Sequence, residues 1–276
     1  MHIKSRPASR ATVIELLGDV SGARAPNSDR LFGQVVDRLA LGIVSGRYPT
    51  GALLPNESTL GHDIAVSRTA YREAIKFLTA KGLIEAKPKS GTRVRPQSDW
   101  NLLDPDILRW SLQGGVTIAF VRDLFELRRC IEPDAARLAA QRRSDIELAA
   151  IADALRAMET LPPLSTASIA ADIAFHERIF EASGNRALTC LKSVVATTIL
   201  WSLRVKKAAD NGAFVRSVAD HSRIYEAIAA RDGVLAAAHS VALITGALTE
   251  TEWALSRRGE RPDRVEPTRL PLPQKR

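Results

Sequence analysis

Apolar residues recur every three to four positions along most of this chain, and only one short stretch breaks into strand-like pattern. Ser28 is placed to cap a helix whose apolar positions are Leu31, Val35, Val36, Leu39, Ile43 and Val44, ending at Gly46. Tyr48-Pro49-Thr50-Gly51 reads as a turn, and Asn56 caps a short helix over 57–63. Ser67 then caps a third helix, with Ala70, Ala74, Ile75 and Leu78 on its apolar stripe. After Gly82 the period changes. Leu83–Ala86 and Thr92–Arg95 read as two strands joined by the basic hairpin Lys87-Pro88-Lys89-Ser90-Gly91. From there on the helical period rules, with helices expected near 104–113, 117–141, 144–159, 166–182, 186–208, 214–230 and 232–257. Gly114-Gly115, Leu161-Pro162-Pro163, Ser183-Gly184-Asn185, Asn211-Gly212 and the Ala230–Gly233 step separate them.

Three helices followed by a basic hairpin make a winged helix-turn-helix. The expected fold is therefore mainly α: an N-terminal winged helix-turn-helix over 28–97, a linker over 98–108 and a C-terminal all-helical bundle over 109–258. Residues 1–27 and 259–276 read as flexible tails. Trp100, Leu102 and Leu103 are large apolar groups in a polar linker, so they are expected to dock between the domains.

Charge sharpens this division. The chain carries a formal +8, of which residues 1–97 hold +7 (15 Lys/Arg against 8 Asp/Glu) and residues 98–276 hold +1. Such asymmetry points to a polyanion-binding N-terminal part. On the helix after Ser67, Arg68 and Arg72 lie one turn apart on the side away from the apolar stripe, with Thr69 beside them. Guanidinium and hydroxyl groups on the first turns of a short helix suit major-groove reading; an ordinary solvated face is the alternative. The two cysteines, Cys130 and Cys190, argue against a disulfide framework, no unbroken apolar run reaches the roughly 18 residues of a membrane span, and a cytoplasmic protein is expected.

The C-terminal helices carry buried chemistry. At about 100° per residue, Val121, Leu124, Phe125, Arg128, Ile131, Glu132 and Ala135 share a face, so Arg128 projects from an apolar stripe. An unpaired guanidinium there is costly, and either Glu132 or an anionic ligand must neutralise it. Asp172 and His176 sit one turn apart on an apolar face, while His221 and His239 lie on faces assigned to the interior of two later helices. Each histidine alone suits a hydrogen-bonded core position; together with Asp172 they form a possible metal set.

The motifs resemble a known family. Gly46-x-Tyr48-x-x-Gly51-x-x-Leu54-Pro55-x-Glu57, Val66-Ser67-Arg68-x-x-x-Arg72-Glu73-Ala74, Gly82-Leu83-Ile84 and Lys89-Ser90-Gly91-Thr92 resemble the DNA-binding domain of GntR-family bacterial regulators. Thr50 departs from the proline usual there, which is expected to loosen one turn. The resemblance implies that Arg68 and Arg72 contact bases or phosphates, that Ser67 and Thr69 anchor the helix on the DNA backbone, and that Lys89 and Gly91 set the wing at the minor groove. The helical half resembles the FCD effector domain of the FadR-like branch. That implies an effector carboxylate at Arg128 and a divalent metal, zinc first, with nickel or manganese possible, held by Asp172, His176, His221 and His239. The segment from Trp100 to Trp110, with Glu126-Leu127-Arg128-x-x-Ile131-Glu132-Pro133, resembles the galactonate-operon repressors, which implies an aldonate-type effector. A homodimer on a palindromic DNA operator follows as the expected assembly. Two competing readings remain: a metal-dependent hydrolase or lyase with a basic accessory domain, and an acyl-CoA-responsive regulator.

Overall fold

The computed structural model describes residues 27–60, 67–87, 91–208 and 213–257. Residues 1–26 and 259–276 of the expected tails, 61–63 of the expected short helix, Lys89 and the Asn211-Gly212 break lie outside them, while Asn27, expected in the tail, opens the first helix. The chain divides into two compact units between Val116 and Thr117.

The first unit opens with α1 (Asn27–Val44), which buries Val35, Val36, Leu39, Ala40 and Ile43. The turn after α1 folds back so that the Tyr48 N–H bonds to the Gly42 carbonyl at 2.9 Å. A β-carbon at Gly42 would fall 2.5 Å from the Tyr48 ring, so only glycine admits that ring. The Pro49–Ala52 turn closes through Ala52 N–H to the Pro49 carbonyl at 2.9 Å, with Gly51 at φ +78°. Thr50 is accommodated without losing that bond.

The short α2 (Glu57–Leu60) precedes α3 (Arg68–Ala80), which buries Ala70, Ala74 and Leu78 against α1. Leu78 is fully buried, a contribution of about 1.5–3 kcal/mol for a side chain of that size. The hairpin pairs β1 (Ile84–Lys87) with β2 (Gly91–Val94) antiparallel, Ile84 opposite Val94, one residue off the expected strands. The 51–54 segment adds a third rung beside β2, with Leu54 N–H to Thr92 O at 2.9 Å and Val94 N–H to Ala52 O at 3.1 Å.

The linker differs from expectation. Its second half is the start of α4 (Pro105–Gly114), capped by Asp104, and α4 belongs to the first unit. Ile107 and Trp110 join the core formed by α1 and α3, and the Trp110 indole donates to Asp37 at 2.6 Å. Trp100 and Leu102 pack on that same core, and Leu103 is exposed. The boundary thus lies eight residues beyond the expected one, because Trp110 and Ile107 have their apolar partners in the winged helix.

The second unit is helical throughout its described residues: α5 (Ile118–Arg142), α6 (Asp145–Thr160), α7 (Thr166–Ala182), α8 (Arg186–Cys190), α9 (Lys192–Ala208), α10 (Ala213–Ala229) and α11 (Gly233–Arg257). The single helix expected over 186–208 breaks at Leu191, whose N–H bonds three residues back, to the Leu188 carbonyl at 2.9 Å. Ser144 and Glu147 close a capping box at the head of α6, and Asp232 caps α11 through the N–H groups of Val234 and Leu235. α11 is long and apolar enough by composition to cross a membrane, a feature that counting unbroken apolar runs passes over. Here it packs along α5, α10 and α9.

Candidate functional site

The first unit presents an exposed basic face on α3. Ser67 has extended backbone (φ −75°, ψ 146°), and its Oγ accepts from the Ala70 N–H at 3.1 Å, fixing where the helix begins. Tyr71 is half-buried and its hydroxyl donates to the Pro55 carbonyl at 2.8 Å, which ties α3 to the segment before α2. Those two anchors leave Arg68, Thr69 and Arg72 exposed on the opposite side. Neither arginine is paired with a described side chain. Their basic neighbours are engaged: Lys76 with Glu73 at 2.8 Å, Arg93 with the Gly51 carbonyl at 2.9 Å, and Arg95 with Asp99 at 3.0 Å. Gly91 opens β2 at φ +77°, and a β-carbon there would fall 2.8 Å from the Leu53 side chain, so the wing's return is built on glycine.

The second unit buries a charged cluster where α5, α7, α9 and α10 meet. Arg128 and Glu132 pair within α5, Nε to Oε1 at 2.5 Å and Nη2 to Oε2 at 3.4 Å. The Glu132 carboxylate also receives His176 Nδ1 at 2.7 Å. Burial works against its charge, but the Arg128 guanidinium and His176 outweigh that and hold it ionised, its pKa lowered to about 2. His221 donates Nδ1–H to the Ser217 backbone carbonyl at 2.6 Å, since a carbonyl can only accept. Both imidazoles thus spend Nδ1–H outward and turn the Nε2 lone pair inward.

Three lone pairs therefore converge. His176 Nε2 and His221 Nε2 are 3.3 Å apart, and Asp172 Oδ1 lies 3.6 Å from the first and 3.7 Å from the second. Asp172 is likewise held below the ordinary carboxylate range, burial being offset by His221 and His176. Donors about 2.0–2.1 Å from a tetrahedral ion stand roughly 3.3 Å apart, a spacing that the two imidazoles meet and the carboxylate exceeds by a few tenths of an ångström, so this set could hold a divalent metal. Glu132 and the Ser217 carbonyl are the partners that orient the two rings. The cavity beside the cluster measures about 20 Å³ and is lined by Arg128, Asp172, His176, Ser202, Lys206 and His221.

His239 is not part of this group; the expected fourth ligand is a correction. Of the residues expected on its face of α11, Leu243 is buried, but Leu235 is 45% and Trp253 40% exposed, and His239 itself is only partly buried, outside the group that Asp172, His176 and His221 form. α11 instead turns Leu243 and Ala247 toward the cavity. With apolar residues on nearly every side of that helix, spacing alone points to no inward face.

Comparison with known proteins decides the family. Residues 31–94 match the pattern of bacterial regulatory proteins of the gntR family, and residues 123–246 match the FCD domain. The galactonate operon transcriptional repressor of Escherichia coli is 32% identical over 200 residues, covering 72% of this chain and 87% of that protein. The chain belongs to the GntR family. The HTH-type regulator LutR of Bacillus subtilis is 31% identical, covering 74% of this chain and 93% of its own length. In a solved structure of Lar from Listeria monocytogenes, at 17% identity and TM-score 0.58, the match spans 83% of this chain and 98% of that one, a likeness of fold.

As a GntR regulator with an FCD domain, the chain is a DNA-binding, ligand-responsive transcriptional regulator. The relatives just named are regulators of the same kind, and nothing among them supports a hydrolase, a lyase or an acyl-CoA sensor. The FCD match runs from within α5 to within α11 and so contains the whole buried cluster. Sequence spacing missed Lys206 and Ser202, although Ile199, Ser202, Leu203 and Lys206 repeat at helical spacing along α9 and all line the cavity. It also missed the bond that makes Glu132 an orienting group for His176.

Proposed function

We propose that this GntR regulator is a homodimeric repressor of sugar-acid catabolic genes, released from a palindromic operator when an aldonate-type carboxylate binds its FCD domain. It acts in the cytoplasm, where its DNA target is. Ser67, Arg68, Thr69 and Arg72, with Lys89 and Gly91 of the wing, form the DNA-binding set. A divalent ion, zinc first with nickel or manganese as alternatives, is held by Asp172, His176 and His221. Such an ion would supply Lewis acidity toward a carboxylate and its neighbouring hydroxyl. Arg128 meets the effector through the nitrogen that it does not spend on Glu132.

The observation that carries this reading is the buried convergence of Asp172 Oδ1 with two inward Nε2 lone pairs, 3.3–3.7 Å apart, beside two cations. The likeness to the galactonate operon repressor over most of that protein's length favours a 2-hydroxy acid of the aldonate class. Fluorescence anisotropy of the zinc-loaded protein on DNA from the promoters beside its gene tests it. D-galactonate should weaken DNA binding by at least about tenfold, or roughly 1.4 kcal/mol, and a chelator should abolish that response. If no aldonate, uronate or lactate changes DNA affinity with metal present, the effector reading is wrong.

A further inference from the structure

Two cations face the cavity, and they are held very differently. Arg128 and Glu132 are both buried, each side chain only 4% exposed, and the Glu132 carboxylate is shared with His176 Nδ1 at 2.7 Å. Separating that pair would strand a buried carboxylate and free the His176 ring that it orients. Lys206, on α9, is also buried, but its ammonium rests on Glu250 of α11 at 3.0 Å, and Glu250 is 20% exposed. Glu250 is partly exposed, so it is not left as a charge sealed in the interior when the ammonium leaves it. Burial pushes the Lys206 ammonium below the ordinary lysine range despite Glu250, so the site solvates this charge poorly and a second anion is welcome there.

The structure assigns Lys206 as the exchangeable anion-binding group of the cavity: an incoming carboxylate takes the ammonium from Glu250, while Arg128 keeps Glu132 and positions His176. This rests on the reading that a carboxylate enters this cavity. It deepens it by naming which ion pair opens and which helices it unties, since the Lys206–Glu250 bond joins α9 to α11. At about 20 Å³ the cavity has room for little more than a water or an ion, so a sugar acid can enter only as those helices part. The bond across them is the one that must yield.

Thermal-shift titrations of the zinc-loaded, full-length protein with D-galactonate, L-lactate and acetate test the assignment. For each carboxylate that stabilises the wild type, Lys206→Met should raise the concentration needed by about tenfold or more. Lys206→Arg should recover part of the loss. Glu250→Gln should lower the concentration needed, because it removes the internal competitor. This opposite sign is a readout that a merely structural role for the pair would not produce, and it stands even if Lys206→Met folds poorly. Equal titration of wild type and Lys206→Met, or weaker binding in Glu250→Gln, overturns the assignment and leaves the broader reading standing. No stabilisation of the wild type by any of the three at millimolar concentration overturns both.

Discussion

Arg68 and Arg72 stand exposed on α3 with no described side chain as partner, whereas Arg128 lies buried on α5 with two of its nitrogens on Glu132. The same residue type serves two ends. On α3 the guanidinium charge is left exposed, as the proposed contact with phosphate and base edges requires, and nearby basic groups are tied down so that these two project. In the FCD domain the charge is neutralised inside the fold and serves to hold a carboxylate that in turn holds a histidine. An output surface works by leaving charge unpaired in water; an input cavity must satisfy every charge before the ligand arrives, because the interior does not solvate what is left over.

The sharpest way to break this contrast is to remove one partner on each side. Glu132→Ala leaves Arg128 buried and uncompensated, and should destabilise the protein by about 3–5 kcal/mol in urea unfolding. Arg128→Met with Glu132→Leu should recover most of that loss, although the His176 ring loses its orienting group. If Glu132→Ala costs no more than a surface change, the pair is not a closed unit. On α3, Arg72→Ala should leave stability within about 0.5 kcal/mol. It should weaken operator binding by about 1–3 kcal/mol, measured by anisotropy, without changing zinc content. Wild-type log affinity should also fall steeply with log salt, and a flat profile would remove direct phosphate contact from the account.

Acid sharpens the comparison further. The Glu132 pKa falls from 4.5 to about 2 in the folded chain, so its ion pair contributes stability that is fully present above about pH 4.5 and is lost as pH falls toward 2. Glu132→Gln should flatten that part of the acid-unfolding curve. The smallest effect belongs to His239. His239→Ala should leave zinc stoichiometry and affinity unchanged, whereas His176→Ala should remove the metal. Equal losses in the two would restore the four-ligand set.

Much of the winged helix was legible from local rules. Ser67 as cap, Ala70, Ala74 and Leu78 as the buried stripe, and Gly46 and Gly51 as turn glycines stand where their chemistry requires, because a cap or a positive φ is decided within a few residues. Arg128, Asp172, His176 and His221 were legible for a related reason: each is a polar group inside an apolar stripe, and burial makes that costly enough to demand a partner. The strands pair in the expected register, Ala86 opposite Thr92, but each lies one residue nearer the hairpin turn than expected, because both are short and their ends are not marked by local chemistry.

His239, α4 and Lys206 mark where local rules stopped. On α11 the exposed Val234, Leu235, Val241 and Trp253 look in sequence like core, so the wheel had no reliable inward side. The residues after Trp100 carry strong apolar signals, but which domain they belong to depends on Asp37 and the α1 core, about seventy residues earlier in the chain. Lys206 faces a cavity only because α5, α7, α10 and α11 meet α9 there, which nothing in its own turn of helix signals.

By itself the sequence determined the element types, the exposed basic face of the Ser67-capped helix, the division of charge between the two halves and the four polar residues that need interior partners, all set by spacing and by the cost of burying charge. Only the tertiary structure decided that Glu132 belongs to His176 as much as to Arg128, that three ligands converge and not four, and that Lys206 shares their cavity. Those facts depend on which faces of separate helices meet, and the 3.6-residue period fixes each helix's face but not its neighbour.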